Sequence, residues 1–234
     1  MENRQKTKDS IKDGMRIALP IVVGYFPVAM AFGLLSKNTL MSFRDTSLLS
    51  IMVYAGASQF MAIDLLAAGV NMGSIVLATV LLNLRHTIMS ASLAVHLQGI
   101  SRKLLPIIAF GTTDETFSII SFNKDKVNAA FILTLNTLAY GSWVLGTMIG
   151  YIIGEILPIS LQSSLGIGLY AMFAALLSPE MGKSKNVLYL SIISAAIYMG
   201  LFYSNRFGSG WDIILGILIS SIIGVVFFNR GERN

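Results

Sequence analysis

Two adjacent carboxylates, Asp114 and Glu115, sit in the stretch Ala109-Phe110-Gly111-Thr112-Thr113-Asp114-Glu115-Thr116-Phe117, between flanks that suit lipid. Three more polar groups break comparable apolar runs: Gly56-Ala57-Ser58-Gln59 leading to Asp64, Asn83-Leu84-Arg85-His86, and His96. A charge at mid-bilayer costs about 2.5–3.5 kcal/mol on insertion scales, so such residues are there to pair or to work.

Thr112-x-x-Glu115 has the spacing of a capping box, in which a hydroxyl and a carboxylate satisfy the free N–H groups of a helix start. Acids in a first turn also face the positive end of the helix dipole, and Gly111 lets the chain bend just before it. The spacing predicts a helix that stops and restarts inside the membrane; the alternative is an unbroken helix whose two acids pair with Arg85. Neighbouring residues on a helix point about 100° apart, so the two acids divide their tasks. Glu115 caps with Thr112, and Asp114 faces a path for substrate or protons with Arg85 as its counter-charge.

At the same 100° step, Thr79, Asn83, His86 and Ser90 share one face, while Arg85, Ser92 and His96 lie nearly opposite. A helix polar on two sides belongs away from the periphery of a bundle. Arg85 stands roughly 20 Å from either end of its run, too far to reach water easily, and needs an anion. It either lines a solute path or locks helices together through an ion pair. Gly56, Ala57 and Ser58 admit close backbone approach, Gln59 bridges helices, and Asp64 reads as an interface residue.

The elements that must position these residues are membrane helices. The chain has 234 residues, 54% hydrophobic and 12% charged, with mean hydropathy +0.71, against about a quarter charged in a soluble domain. Apolar runs at 15–36, 47–69, 73–98, 103–121, 127–154, 161–178, 187–203 and 211–228 give an all-α polytopic membrane protein with seven or eight helical segments. The Gly-, Ala- and Ser-rich runs 47–69 and 103–121 are the ones to be broken or re-entrant. The whole chain, 1–234, forms one transmembrane domain with a basic tail at 1–14 and a short tail at 229–234. Ala29-Met30-Ala31 imitates a signal-peptidase site, but Gly24, Pro27 and Gly33 fit a retained helix.

The net charge of +5 reports orientation rather than nucleic acid, since the basic residues lie mainly in tails and loops. With all segments spanning, Arg4, Lys6, Lys8, Lys12, Arg16, Lys124, Lys126, Lys183, Lys185, Arg230 and Arg233 fall inside. Lys37, Arg44, Arg102, Lys103 and Arg206 fall outside. This bias predicts both termini in the cytoplasm. No Cys, HExxH, GxGD or Walker sequence is present, so neither an enzyme nor a metal or other cofactor is expected. Gly146-x-x-x-Gly150 with Gly154 offers a small-residue face for assembly with another subunit. Gly24–Gly33 and Gly141–Gly150 are loosely alike, which leaves an inverted repeat open.

Gly14 and Pro20, Ala31-Phe32-Gly33, Ala55-Gly56-Ala57-Ser58-Gln59-Phe60, Asn83-Leu84-Arg85-His86, Thr113-Asp114-Glu115 and Met172-Phe173-Ala174-Ala175-Leu176-Leu177 occur in an order that resembles the AzlC family of branched-chain amino acid permeases. The resemblance covers roughly residues 14 to 178. It implies a secondary transporter in the bacterial inner membrane that exports leucine, isoleucine and valine, with methionine as an outlying substrate. It also implies drive by the proton-motive force and a small hydrophobic AzlD-type partner, and a homo-oligomer is a further expectation. A zwitterionic substrate needs donors for its carboxylate and an anion for its ammonium. Arg85 and the helix start at 112–115 offer the first, and Asp114 or Glu115 the second. The candidate path is therefore Asp114, Glu115, Arg85, His86, Asn83, Gln59, Ser58, Thr112 and Thr113. The rival functions are a channel for a small solute and a scaffold that transports nothing.

Overall fold

The structure, a computed structural model, describes residues 2–95, 97, 99–123, 127–156, 158, 160, 174, 177–178, 181–204 and 211–228. Among the described residues there are helices and turns and no strand. Four helices among the described residues are long and apolar enough to cross a bilayer: α1 (Glu2–Asn38) from Gln5 onward, α4 (Met72–Ala94), α7 (Ala129–Ile153) and α8 (Lys185–Ser204). The shorter helices described are α2 (Phe43–Met52), α3 (Gly56–Ala67), α5 (Leu105–Phe110), α6 (Asp114–Phe122) and α9 (Trp211–Ile223). A π-helical turn at Gly224–Phe228 follows α9. This is an all-α polytopic membrane protein.

The runs 47–69 and 103–121 are both broken, the first between Met52 and Gly56 and the second between Phe110 and Asp114. His96, Lys124, Lys126, the tail 229–234 and nearly all of the run 161–178 lie outside the described residues.

The chain divides into two compact units. The first comprises residues 1–60 and 83–168, and its frame is α7 packed along α1. Gly146 and Gly150 on α7 and Gly154 at its C-cap lie four residues apart, one above the other. A Cβ on Gly150 would come within 2.1 Å of the Met30 carbonyl oxygen, and one on Gly146 within 2.8 Å of the Phe26 carbonyl oxygen. Gly154 meets Leu34, so α1 answers with the same four-residue spacing at Phe26, Met30 and Leu34. The expected assembly face is thus used within the chain, because glycine lets the two backbones touch. Gly33 returns the contact from α1, against the Thr147 carbonyl. Phe32, Phe131, Ile132, Leu135 and Ala139 fill the seam and are fully buried.

The second unit comprises residues 61–82 and 169–234. Met61, Leu65, Ile75 and Ala78 close the α3–α4 hairpin, whose turn places Gly69 at φ +72°. α8 packs on α9 in the same unit. Asp64, expected at an interface, is exposed.

Candidate functional site

A helix broken inside a membrane leaves backbone groups without partners, and these must be answered locally. One face of α7 answers for both breaks. Asn136 Nδ2 donates to the Ile108 carbonyl at 3.2 Å, at the end of α5. One turn further on, the Tyr140 hydroxyl donates to the Ile51 carbonyl at 3.0 Å, at the end of α2. Gly111 presses so close on Asn136 that a Cβ would lie 2.6 Å from its amide, and Gly56 presses as closely on the Trp143 ring.

Tyr54 turns the first break. Its φ of +44° is a left-handed conformation that bulky side chains avoid, at a cost of about 1–3 kcal/mol. Packing holds it there. The ring is 3% exposed, edge-on to Tyr140 at 5.0 Å and beside Phe110 at 6.1 Å. Phe110 ends α5, so this aromatic cluster joins the two breaks.

Gln59 fixes the start of α3 through a closed ring of hydrogen bonds, all buried. Trp143 Nε1 donates to Gln59 Oε1 at 2.9 Å, and Gln59 Nε2 donates to Ser50 Oγ at 3.0 Å. Ser50 Oγ is 2.8 Å from Thr147 Oγ1, which itself donates to the Trp143 carbonyl at 2.9 Å. Because Thr147 has given its only proton away, Ser50 must be the donor between them. The ring ties α2, α3 and α7 into one body.

The second break ends in a cap, but not the expected one. Thr113 is the N-cap and exchanges bonds with Thr116: Thr116 N–H to Thr113 Oγ1 at 3.3 Å, and Thr113 N–H to Thr116 Oγ1 at 2.8 Å. Thr112 instead bonds back to the Ile108 carbonyl at 2.8 Å. The capping frame sits one residue later than the spacing Thr112-x-x-Glu115 suggested, and Glu115 is no part of it. A second hydroxyl three residues on takes the place of the usual carboxylate.

Released from capping, Glu115 accepts a short hydrogen bond from Tyr25 on α1, and the same Tyr25 oxygen is 2.7 Å from Thr113 Oγ1. Asp114 makes an ion pair with Arg85, Nη1 to Oδ2 at 2.9 Å. Asn83 Nδ2 donates to Ser58 Oγ at 3.0 Å, and Ser58 in turn donates to the Ala55 carbonyl at 2.9 Å. Asn83 and Arg85 leave α4 about 160° apart and reach different half-helices, α3 and α6. Between them runs an open stripe, with Leu84 and Ile88 exposed. Polarity on two sides therefore does not keep α4 from presenting an outer face, because the stripe between its two bonded sides stays open.

Several buried side-chain atoms here have no hydrogen-bond partner: Tyr54 Oη, Asn83 Oδ1, Arg85 Nε, His86 Nε2 and Asn136 Oδ1. Buried polar atoms are nearly always paired, so this concentration singles out the two breaks as the candidate site. No cluster of metal ligands occurs among the described residues.

The AzlC protein family matches residues 20–157, which hold every residue of this site. The chain belongs to the AzlC family. A membrane protein of Archaeoglobus fulgidus is 36% identical over 178 residues, covering 75% of this chain and 78% of its own. The inner membrane protein YgaZ of Escherichia coli K12 is 28% identical over 92% of this chain and 89% of its own. The branched-chain amino acid transport protein AzlC of Bacillus subtilis 168 is 27% identical over 97% of this chain and 87% of its own. No solved structure matches.

In this AzlC-family chain the structure brings Ser58, Gln59, Asn83, Arg85, Thr112, Thr113, Asp114 and Glu115 to the two breaks, with His86 beside Arg85 on α4. Sequence reasoning missed Tyr25, Ser50, Tyr54, Asn136, Tyr140, Trp143 and Thr147. Their one signal was chemical: a Tyr or Trp in an apolar helix must find a partner for its O–H or N–H.

Proposed function

We propose that this AzlC-family protein is a secondary transporter that exports leucine, isoleucine and valine, and with them methionine, across the bacterial inner membrane. The proton-motive force drives it, and a small hydrophobic AzlD-type subunit completes it. The reading is supported by the name of the Bacillus subtilis relative and by the site's chemistry. Both termini lie in the cytoplasm, following the charge bias of tails and loops.

One observation carries the transport reading. The Arg85–Asp114 pair keeps about a third of each side chain exposed, 35% and 33%, in the middle of an apolar chain. Ions open to hydrocarbon are costly, so this opening faces a polar path. Arg85 and the free N–H groups where α3 and α6 begin suit an α-carboxylate. Asp114, Glu115 and the unpaired Asn83 Oδ1 suit an α-ammonium, with His86 at the wall of the path. Ser58, Gln59, Thr112 and Thr113 hold the half-helices in place around it.

The test is export of labelled leucine from proteoliposomes, with and without the small subunit. Uphill export that collapses with an uncoupler is the expected result. Downhill flux indifferent to the uncoupler would make the protein a channel, and no flux under either condition would make it a scaffold.

A further inference from the structure

Asp114 and Glu115 are adjacent, yet their surroundings differ in kind. Asp114 touches the guanidinium of Arg85, a permanent charge. A proton placed on Asp114 would leave that charge without its anion. Glu115 has no cation within ion-pair distance among the described residues; what it touches is the neutral hydroxyl of Tyr25. A proton on Glu115 strands nothing. The groups around Glu115 are Tyr25 from α1, Tyr54 from the first break with Tyr140 of α7 against it, and Asp114 on its own helix, which pairs with Arg85 of α4 and lies within electrostatic reach of His86. Tyr54 is buried, its hydroxyl has no hydrogen-bond partner, and it lies within electrostatic reach of Glu115.

From this geometry we propose that Glu115, not Asp114, takes up the coupled proton, and that Tyr25 relays its state to the N-cap of α6. The inference deepens the proton-coupled export reading and rests on it. The Tyr25 hydroxyl has one proton and two oxygen neighbours, Glu115 Oε2 and Thr113 Oγ1. With Glu115 ionised, that proton points to the carboxylate. When a proton arrives from the path, the carboxyl becomes the donor to the Tyr25 oxygen, and the Tyr25 proton swings to Thr113 Oγ1. One O–H bond forms at Glu115 as one breaks on the hydronium that delivers the proton, the Tyr25 step is a rotation of its O–H, and the proton leaves by the reverse steps toward the other side. The swing adds a donor to Thr113, which already accepts from the Thr116 N–H. Loading Glu115 therefore acts on the cap that starts α6, the helix whose first residue binds Arg85. Asp114 is the fixed anion and Glu115 the switch.

The molecule contains its own reporter. Trp143 lies edge-on to Tyr25 at 5.5 Å, and Trp211 is the only other tryptophan. In a Trp211→Phe background, emission of the purified full chain in nanodiscs is followed against pH without substrate. A single pH-dependent step is expected, absent in Glu115→Gln and in Tyr25→Phe and present in Asp114→Asn. A step that survives Glu115→Gln, a step lost only in Asp114→Asn, or no step in the parent overturns the proposal. If Glu115→Gln does not fold, Glu115→Asp replaces it. That shorter acid draws away from Tyr25, so its emission should stay flat, and a step there counts against the relay. Because no substrate is present, a failure of leucine export in proteoliposomes would overturn the export reading separately.

Discussion

Arg85 on α4 and Asp114 on α6 meet at 2.9 Å, yet neither is enclosed: about a third of each side chain remains accessible. The pair joins a continuous helix to the restarted half of a broken one. Removing either partner leaves a charge that is expensive at this depth. Asp114→Asn is expected to lower stability by about 1–3 kcal/mol, below the cost of breaking a fully buried pair, and to abolish export. The exchanged pair, Arg85→Asp with Asp114→Arg, should regain most of the stability but not the export, since the charges would face the substrate reversed. Thermal melting in detergent, paired with leucine efflux, checks both.

Gln59 is the one member of the α2–α3–α7 hydrogen-bond ring that both accepts and donates through an amide. Gln59→Leu keeps the volume and strands the Trp143 N–H, while Ser50 keeps its bond to Thr147. One stranded buried donor costs about 1–3 kcal/mol. Gln59→Glu can still accept from Trp143 but buries a carboxylate among neutral groups, so it should cost more. Chemical denaturation of the two variants side by side tests the order.

Glycine contacts separate close packing from helix propensity. Gly150→Ala would place a Cβ 2.1 Å from the Met30 carbonyl oxygen, so α1 and α7 must part, at a cost of about 1–3 kcal/mol or more. Gly24→Ala meets nothing within 4 Å and should be neutral or stabilising by up to about 1 kcal/mol, since alanine favours helix. The expected readout is early aggregation on heating for the first variant and none for the second.

The two neighbouring threonines before α6 should differ as well. Thr113→Ala removes the N-cap and is expected to cost about 1–2 kcal/mol. Thr112→Ala removes only a bond to a carbonyl of the preceding turn and should cost less, because such back-bonding adds little to a helix. Equal losses in thermal melting would contradict the cap assignment.

The natural absence of cysteine makes topology directly measurable with single introduced thiols. Cysteines at positions 8 and 183 should react from the cytoplasmic side, and one at position 40 from the outside. Labelling at 8 and 183 from opposite sides would mean that one broken pair, α2–α3 or α5–α6, re-enters rather than crosses.

The sequence by itself determined the class of protein, the places where helices break and the charges that meet. Runs of apolar residues need helices in lipid, and this holds whatever the neighbours are. Gly111 followed by hydroxyls and acids signals a break for reasons confined to that turn. A lone Arg85 in such a run demands an anion, and Asp114 was among the few available. What the sequence could not determine is which side chain serves which backbone group. Thr112 and Thr113 offer the same hydroxyl, and only the packed turn decides that the second caps α6. Glu115 was free to cap until α1 brought Tyr25 against it. The Gly146 and Gly150 face looked ready for another subunit until α1 filled it at Phe26 and Met30. Asn136, Tyr140, Trp143 and Thr147 read as ordinary helix residues, because their partners Ile108, Ile51, Gln59 and Ser50 are distant in the chain. Helices and breaks follow from local chemistry and from the solvent. Pairings across tens of residues follow from how the helices pack, which the order of residues encodes only through the whole fold.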